Sequence, residues 1–199
     1  MQTAPQKTPQ QTKYMTIEEY LVYDDGTDTR YELVNGLLVE MPLENQLNAT
    51  IARFLLFELA KHVPAERLTH KDTEIEVSGR RAKCRIPDLM VHSEESLAAL
   101  QGAKQAVILR DMPPPDLIVE VVSPGRENRD RDYRYKRTEY AARGVAEYWI
   151  LDPEMQQLTV CQWVNGQYED TIYADETPIR SAVLPSLNLS MAQILSSGG

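Results

Sequence analysis

The sequence predicts an α/β (α+β) protein in which a mixed β-sheet is flanked by helices, and three observations lead to this prediction. Residues 115–124 form an apolar, largely β-branched run between two prolines, which is typical of a strand covered on both faces. A helical pattern at residues 131–143 and a second apolar run at 146–151 follow, which is the order of a crossover between two parallel strands. Two Asn-Gly pairs, each between strand-like runs, predict additional β-hairpins.

Length and composition are those of a globular protein. The chain has 199 residues, of which 42% are hydrophobic and 26% are charged, so it can bury its own core. Residues 1–13 are rich in Gln, Thr, Pro and Lys, and we expect a disordered N-terminal tail followed by a single domain over residues 14–199. The two cysteines, Cys84 and Cys161, lie far apart and form no Cys-x-x-Cys motif, which argues against zinc or a disulfide framework.

The net charge limits which partners the surface can bind, and the apolar pattern indicates where the protein is located. A value of −9 argues against a surface that coats nucleic acid, although it leaves room for a local basic patch. No apolar run reaches the length of a transmembrane helix, and residues 1–6 lack the apolar segment of a signal peptide. We therefore expect no membrane association and a cytoplasmic location.

The first half of the chain alternates helical and strand-like patterns. Residues 16–22 begin with a capping box and predict a short helix. Residues 31–40 turn at an Asn-Gly pair, which predicts a hairpin with a type I′ turn. Apolar residues at helical spacing predict a long helix over residues 45–62. Two strand-like segments follow, at residues 68–77 and 84–91.

The second half of the chain contains the central strand and its crossover. Before that strand, residues 93–102 predict a loop with a short helix, and after it residues 125–129 predict a loop. The helix at 131–143 is expected to end at the glycine that follows it. Residues 157–173 predict the second hairpin, and Ser190 is placed to cap a last short helix.

Two acidic residues lie inside apolar runs, where a carboxylate is costly. Glu120 is in the middle of the run 115–124, and Asp88 has the same kind of position in the run 84–91. If the two strands are neighbours, their carboxylates converge on one point, which suits a hard cation such as Mg²⁺ or Mn²⁺. The alternative is that a neighbouring arginine or backbone donors satisfy each acid.

Five stretches of the chain carry a resemblance to a known family, and the most specific of them contain Glu-x-x-Ser-Pro and Glu-Tyr-Trp-x-x-Asp-Pro. In their order along the chain, these stretches resemble the Uma family of restriction-endonuclease-like proteins, within the PD-(D/E)XK nuclease superfamily. The resemblance implies a restriction-endonuclease-like fold and a Mg²⁺-dependent endonuclease that hydrolyses phosphodiester bonds in DNA. The stretches are residues 15–21, 30–36, 86–89, 118–124 and 147–153.

The resemblance also implies roles for individual residues. By position, Asp88 and Glu120 are the catalytic acids and metal ligands, and the carbonyl of Val121 is a third ligand. The sequence departs from the superfamily at Val122, which stands where the catalytic lysine is expected and cannot donate a proton. Lys136 lies on the following helix, and we expect its long stem to bring an ammonium group to the site instead.

Lys136 has two polar neighbours at helical spacing. Asp132, Lys136 and Tyr140 are four residues apart in turn and share one face of a regular helix. The resemblance includes this Asp-x-x-x-Lys-x-x-x-Tyr pattern, and we expect Asp132 and Tyr140 to orient the lysine. The alternative is a solvated ion pair of little energetic weight.

Glu32 and four arginines complete the predicted site. Glu32 precedes a tight turn and is expected to point inward as a further catalytic acid, the alternative being a salt bridge to Arg30 or Arg53. Residues 126–143 contain seven Lys or Arg against four Asp or Glu, and residues 80–85 add a second basic group. Basic groups beside an acidic centre suit the DNA backbone, whereas the alternative is a solubilising helix face. The expected DNA contacts are Arg126, Arg129, Arg134 and Arg85.

Two functional hypotheses follow from these patterns. The first is a Mg²⁺- or Mn²⁺-dependent DNA endonuclease. The second is a non-catalytic nuclease-fold module for binding or assembly, which the valine at position 122 and the net acidity favour. For either function, the second hairpin carries Trp163, Tyr168, Ile172 and Tyr173 beyond the core motif, which predicts a homodimer formed at a sheet edge.

Overall fold

The computed structural model describes residues 14–41 and 43–198, and the predicted tail at 1–13 lies outside the described residues. Within the described part, the strands form a six-stranded mixed sheet, a three-stranded sheet and a two-stranded hairpin. The strands are β1 (Tyr31–Val34), β2 (Leu37–Glu40), β3 (Leu68–Thr69), β4 (Glu74–Glu76), β5 (Cys84–Arg85), β6 (Leu89–Val91), β7 (Val107–Ile108), β8 (Leu117–Val121), β9 (Glu147–Asp152), β10 (Gln157–Val164) and β11 (Gln167–Ala174).

Helices cover the sheets, and three consecutive helical segments form one continuous rod, here called the helical rod, over residues 126–143. Its middle third, Arg131–Lys136, has the wider turn of a π-helix. In the described part of the chain, no helix combines the length and the apolar character needed to cross a bilayer. The α-helices are α1 (Ile17–Leu21), α2 (Gln46–Leu59), α3 (Glu94–Ala99), α4 (Arg126–Asp130), α5 (Arg137–Arg143) and α6 (Met191–Ser196), with a 3₁₀ turn at Ala65–Arg67.

The six-stranded sheet has the order β11-β10-β9-β8-β6-β3, with β8 inside it. Strand β8 is antiparallel to β6 and parallel to β9, so the helical rod is the crossover between two parallel strands, as predicted. Every residue of β8 is buried, which confirms the strand predicted from its apolar run. The mixed sheet flanked by helices confirms the predicted fold class.

A hydrophobic core lies on each face of the six-stranded sheet, and residues of β8 alternate between the two. One core contains Val119 together with residues of α2 and α6. The other contains Ile118 and Val122 together with Tyr140 of the helical rod. Glu120 therefore points toward the rod, because it lies two residues from each of Ile118 and Val122 along the strand.

The three-stranded sheet has the order β5-β4-β7, and the β1–β2 hairpin lies against β5. The prediction of two continuous strands at residues 68–77 and 84–91 was wrong, since each segment divides between the six-stranded and the three-stranded sheet. The chain crosses from β3 to β4 through a turn at Lys71, with φ of 58°, and from β5 to β6 through Pro87. Apolar alternation does not show which sheet a strand joins, so the sequence pattern continues through both crossings.

Most of the predicted helix ends and turns are confirmed. Thr16 and Ser190 each form a capping box. Both Asn-Gly turns have positive φ at their two central residues, which is the type I′ geometry expected of a hairpin. The predicted loop at residues 125–129 was wrong, because α4 begins at Arg126 and continues into the rest of the rod. The charged and glycine-containing sequence there resembled a loop, whereas in the structure no residue of α4 is buried and Arg129 is paired with Asp152 of β9.

The edge strand β11 is the element for which we predict a homodimer contact. The structure buries Tyr168 and Tyr173 in the hydrophobic cores, which corrects the expectation that they lie beyond the core, but Ile172 is 61% exposed. Within the described part of the chain the outer edge of β11 pairs with no other strand, and a long free edge favours pairing with a second copy. We expect sedimentation velocity at micromolar concentration to show a dimer for the wild type and a monomer for Ile172→Lys, since a lysine opposes edge pairing. Val22→Lys, on the exposed end of α1, should leave the dimer intact. A wild-type monomer would contradict the prediction.

Candidate active site

The pairing of β6 with β8 brings the two predicted acids together. Asp88 directly precedes β6, Glu120 lies in β8, and both side chains are buried. The Oδ2 atom of Asp88 accepts a hydrogen bond of 2.7 Å from the backbone N–H of Val121. This bond fixes Asp88 against the neighbouring strand, one residue beyond Glu120, so both carboxylates line the same cavity.

Glu120 is held by two residues of the helical rod. The ammonium nitrogen of Lys136 is 2.8 Å from Glu120 Oε1, and the Tyr140 hydroxyl donates to the same oxygen at 2.8 Å. Burial raises the pKa of Glu120, although the Lys136 ammonium 2.8 Å away opposes that rise and favours the ionised carboxylate. Burial alone would lower the pKa of Lys136, but the charges of Glu120 and Asp132 raise it, so the lysine stays protonated.

Asp132 and Lys136 both lie in the π-helical part of the rod. Lys136 Nζ is 3.5 Å from Asp132 Oδ1, and Arg131 Nε is 3.3 Å from the same oxygen. The side chains of Lys136 and Asp132 are only 4% and 1% exposed, which rules out the alternative of a solvated surface pair. The structure thus places Asp132, Lys136 and Tyr140 around Glu120, where the sequence spacing indicated.

Val122 packs in the hydrophobic core and does not line the cavity. Its side chain is buried in the core between β8 and the rod, together with Tyr140 and Ile118. Residues 120 and 122 of an extended chain point to the same side, so a lysine at 122 would also have pointed toward the rod. The ammonium at this site comes instead from the rod itself, through Lys136.

The Val121 carbonyl is bonded to Asn48, a contact that sequence reasoning did not predict. The side-chain amide of Asn48, on α2, donates to the carbonyl oxygens of Val121 at 3.3 Å and of Val122 at 3.2 Å. Asn48 is only 2% exposed, and a buried amide on the apolar face of a predicted helix was the available signal. A carbonyl oxygen has two lone pairs, so the bond to Asn48 orients Val121 without using both.

Glu32 points inward, as expected, and lines the same cavity as Asp88 and Glu120. Its carboxylate accepts a 3.0 Å bond from Arg85 Nη1 and a 3.2 Å bond from the Ile86 N–H, so its partner is neither Arg30 nor Arg53, the two arginines named in the alternative. Burial raises the pKa of Glu32, but the charges of Lys136 and Arg85 outweigh it and leave the pKa lowered. Glu32 is therefore a charged carboxylate that Arg85 and the Ile86 N–H hold in place.

Arg85 lies inside the protein, which corrects its prediction as a DNA contact. Its side chain is 4% exposed and also binds Glu139 of the rod, at 2.9 Å, and Lys83 binds the same glutamate at 2.6 Å. The sequence does not show which of the basic residues at 80–85 are buried, whereas in the structure both residues of β5, Arg85 among them, are buried. A buried guanidinium with two carboxylate partners has no face left for a phosphate.

The other three predicted arginines lie on the helical rod and differ in their freedom. Arg126 and Arg134 have side chains that are 93% and 70% exposed, and within the described residues their ion pairs are long contacts to Asp130, of 3.9 and 3.7 Å. Arg129 is 34% exposed and bound to Asp152 at 2.8 Å and to Glu154 at 2.9 Å. Of the four arginines predicted to contact DNA, Arg126 and Arg134 are thus the two whose side chains are free to bind a phosphate.

The cavity in front of the two acids has a volume of about 320 Å³. Five carboxylates and three cationic side chains line it, which leaves a formal charge of −2 that one divalent ion would neutralise. Lys71 is among the cations, and sequence reasoning did not identify it because it lies in a turn with no distinguishing pattern. The carboxylates are Glu32, Glu40, Glu44, Asp88 and Glu120, and the cations are Lys71, Arg131 and Lys136.

The donor set fits Mg²⁺ or Mn²⁺ better than a metal that needs a full protein cage. Within the described residues, no three His, Cys, Asp or Glu side chains are grouped so that they could hold a metal by themselves. Mg²⁺ keeps several waters and takes one or two carboxylates, and Asp88, Glu120 and the Val121 carbonyl are oxygen donors of that kind and number. The oxygen donors and the local charge of −2 suit such an ion.

Comparison with known proteins identifies first the fold and then the family. A solved structure from Anabaena variabilis, described as "a putative nuclease belonging to DUF820", shares the fold: the TM-score is 0.68 at 16% sequence identity, over 92% of this chain and 99% of the other. The family model Uma2, described as "Putative restriction endonuclease", matches residues 17–192. The chain therefore belongs to the Uma2 family, which confirms the resemblance. No curated protein matches the sequence.

The buried arginine provides a test of how the site is held. Arg85→Ala would leave Glu32 and Glu139 with less compensation in the interior, so we expect a loss of unfolding free energy on the order of 3–5 kcal/mol. Urea denaturation followed by circular dichroism measures this loss. Arg126→Ala, at an exposed position of the rod, should change the free energy by less than about 0.5 kcal/mol. Equal stability of the two variants would show that the Arg85 pairs are not structural.

Proposed function

We propose that this protein is a metal-dependent DNA endonuclease of the PD-(D/E)XK type. Asp88, Glu120 and the Val121 carbonyl would hold one Mg²⁺ or Mn²⁺. The observation that carries the proposal is the 2.8 Å contact between Lys136 and Glu120, because it supplies from the helical rod the ammonium that Val122 cannot supply. Membership of the Uma2 family supports the same reaction class.

A bound divalent ion would supply the activation of a water molecule and would offset charge on the scissile phosphate. Side chains of the protein would stabilise the developing charge and orient the metal ligands. The Lys136 ammonium, kept protonated by Glu120 and Asp132, donates toward the phosphoryl oxygen on which charge develops. Tyr140 fixes the Glu120 carboxylate through its hydroxyl, and so determines where the second oxygen of that carboxylate points.

DNA would be held by charge and without reading of bases. Arg126 and Arg134 extend from the outer part of the rod, and contacts of this kind neutralise phosphates. The cavity itself is acidic, so the backbone can approach it only when a cation is bound there. The substrate and the metal are therefore expected to bind interdependently.

Cleavage of plasmid DNA tests the proposed metal centre. We expect the wild type to nick supercoiled plasmid in Mg²⁺ or Mn²⁺, and Asp88→Ala and Glu120→Ala to lose that activity because each removes a metal ligand. Agarose gels resolve the nicked and linear products. Glu127→Ala, an exposed acid on the rod, is the matched control and should cleave normally. If wild type leaves the plasmid intact, or both alanine variants nick it as fast, hydrolysis at this site is excluded.

Lys136 has its own test. Lys136→Met should fold and bind Mn²⁺, yet cleave about 10²–10³-fold more slowly, by analogy with the loss of one donor to a developing oxyanion. Lys136→Arg should not restore the full rate, since a planar guanidinium differs from an ammonium point charge. Single-turnover cleavage rates and titration calorimetry separate the two effects. Lys61→Met, at an exposed lysine just after α2, is the control. Normal cleavage by Lys136→Met would refute the role of Lys136.

The burial of Val122 supports one other candidate, a nuclease fold that has lost catalysis and serves in binding or assembly. The two functions differ in the metal. Calorimetry that shows Mn²⁺ binding by the wild type and none by Asp88→Asn would count against the non-catalytic module. The absence of Mn²⁺ binding in both proteins would favour it.

A further inference from the structure

Lys71 makes contacts at the candidate active site that the proposed mechanism does not use. Its ammonium nitrogen is 3.1 Å from Asp88 Oδ1 and 2.5 Å from Glu44 Oε2. The other oxygen of Asp88 is already bound to the Val121 N–H. Both oxygens of a proposed metal ligand therefore have partners within the protein, and one of these partners is a cation.

The backbone around Lys71 is fixed, which gives this contact a defined geometry. Lys71 has φ of 58°, an uncommon conformation for a residue other than glycine. Its carbonyl accepts a 2.6 Å hydrogen bond from Arg30 Nη1, and Asp72 accepts one of 3.0 Å from the His70 N–H. The turn between β3 and β4 thus directs the lysine into the cavity, where its side chain is only 19% exposed.

The Lys71 ammonium reduces the negative charge around Asp88. With Lys71 counted, the lining of the cavity carries a formal charge of −2, and without it the charge would be −3. A divalent ion and an ammonium group attract the same carboxylate oxygen and repel each other at contact distance. Glu44 offers the ammonium a second partner, and the flexible stem of lysine allows it to stay with Glu44 when Asp88 Oδ1 is taken.

We propose that Lys71 is an internal cation that competes with the divalent metal for Asp88 and thereby weakens metal binding at this centre. The inference rests on the proposed function, because it assumes that Asp88 is a metal ligand. When the metal binds, the ammonium moves from Asp88 to Glu44 alone. The cavity lining with its metal is then neutral, so a substrate phosphate meets no net repulsion from it.

Titration calorimetry with Mn²⁺ tests this competition in the absence of DNA. We expect Lys71→Met and Lys71→Gln to bind Mn²⁺ about tenfold more tightly than the wild type, since each removes the competing charge. Lys71→Arg keeps the charge and should bind like the wild type. Lys61→Met removes a lysine that is 62% exposed and that pairs, among the described residues, with Glu58 alone, and it should also bind like the wild type. Thermal unfolding without metal confirms that each variant is folded.

The outcomes separate this inference from the proposed function. Mn²⁺ binding by the wild type that is equal to or tighter than binding by Lys71→Met and Lys71→Gln overturns the role of Lys71 and leaves the metal centre standing. Tighter binding by Lys61→Met to the same degree also overturns it, because the effect would then be a general one of net charge. If neither the wild type nor the Lys71 variants bind Mn²⁺, the metal centre itself is wrong and the inference falls with it.

Discussion

The buried ion pair between Glu120 and Lys136 is the interaction on which the candidate site depends. Taking a carboxylate and an ammonium out of water is costly, and the cost is recovered only when the two are paired and further hydrogen-bonded. Tyr140 and Asp132 provide those additional partners. Strand β8 and the helical rod therefore cannot shift against each other without leaving a charge unpaired in the core.

A second set of charges joins the same rod to the smaller sheet. Glu139, one turn after Lys136, binds Lys83 and Arg85, and Arg85 in turn binds Glu32 of the β1–β2 hairpin. The rod is thus tied to the six-stranded sheet through Glu120 and to the three-stranded sheet through β5. Such a network is weak evidence for stability, but it specifies one arrangement of the two sheets, because any other arrangement separates buried charges.

The boundary between the two sheets is also where the proposed metal chemistry is located. The chain crosses that boundary at the turn between β3 and β4 and again between β5 and β6. The first crossing presents Lys71 and the second presents Asp88, and their side chains meet at 3.1 Å. Crossing segments are freed from the strand ladder, so their side chains can point into the cavity, whereas residues within the ladder must alternate between its faces.

The sequence by itself determined the elements whose signals are local. The apolar run of β8, the type I′ turns and the capping boxes depend on neighbouring residues, so they could be predicted along with Asp88, Glu120 and the helical spacing of Lys136. Only the tertiary structure decided that Arg85 lies inside, that Asn48 holds the Val121 carbonyl, and that Lys71 meets Asp88. The physical reason is that these charged and amide side chains bind partners from distant segments of the chain. A contact between two sheets produces no periodic pattern in the sequence around either residue.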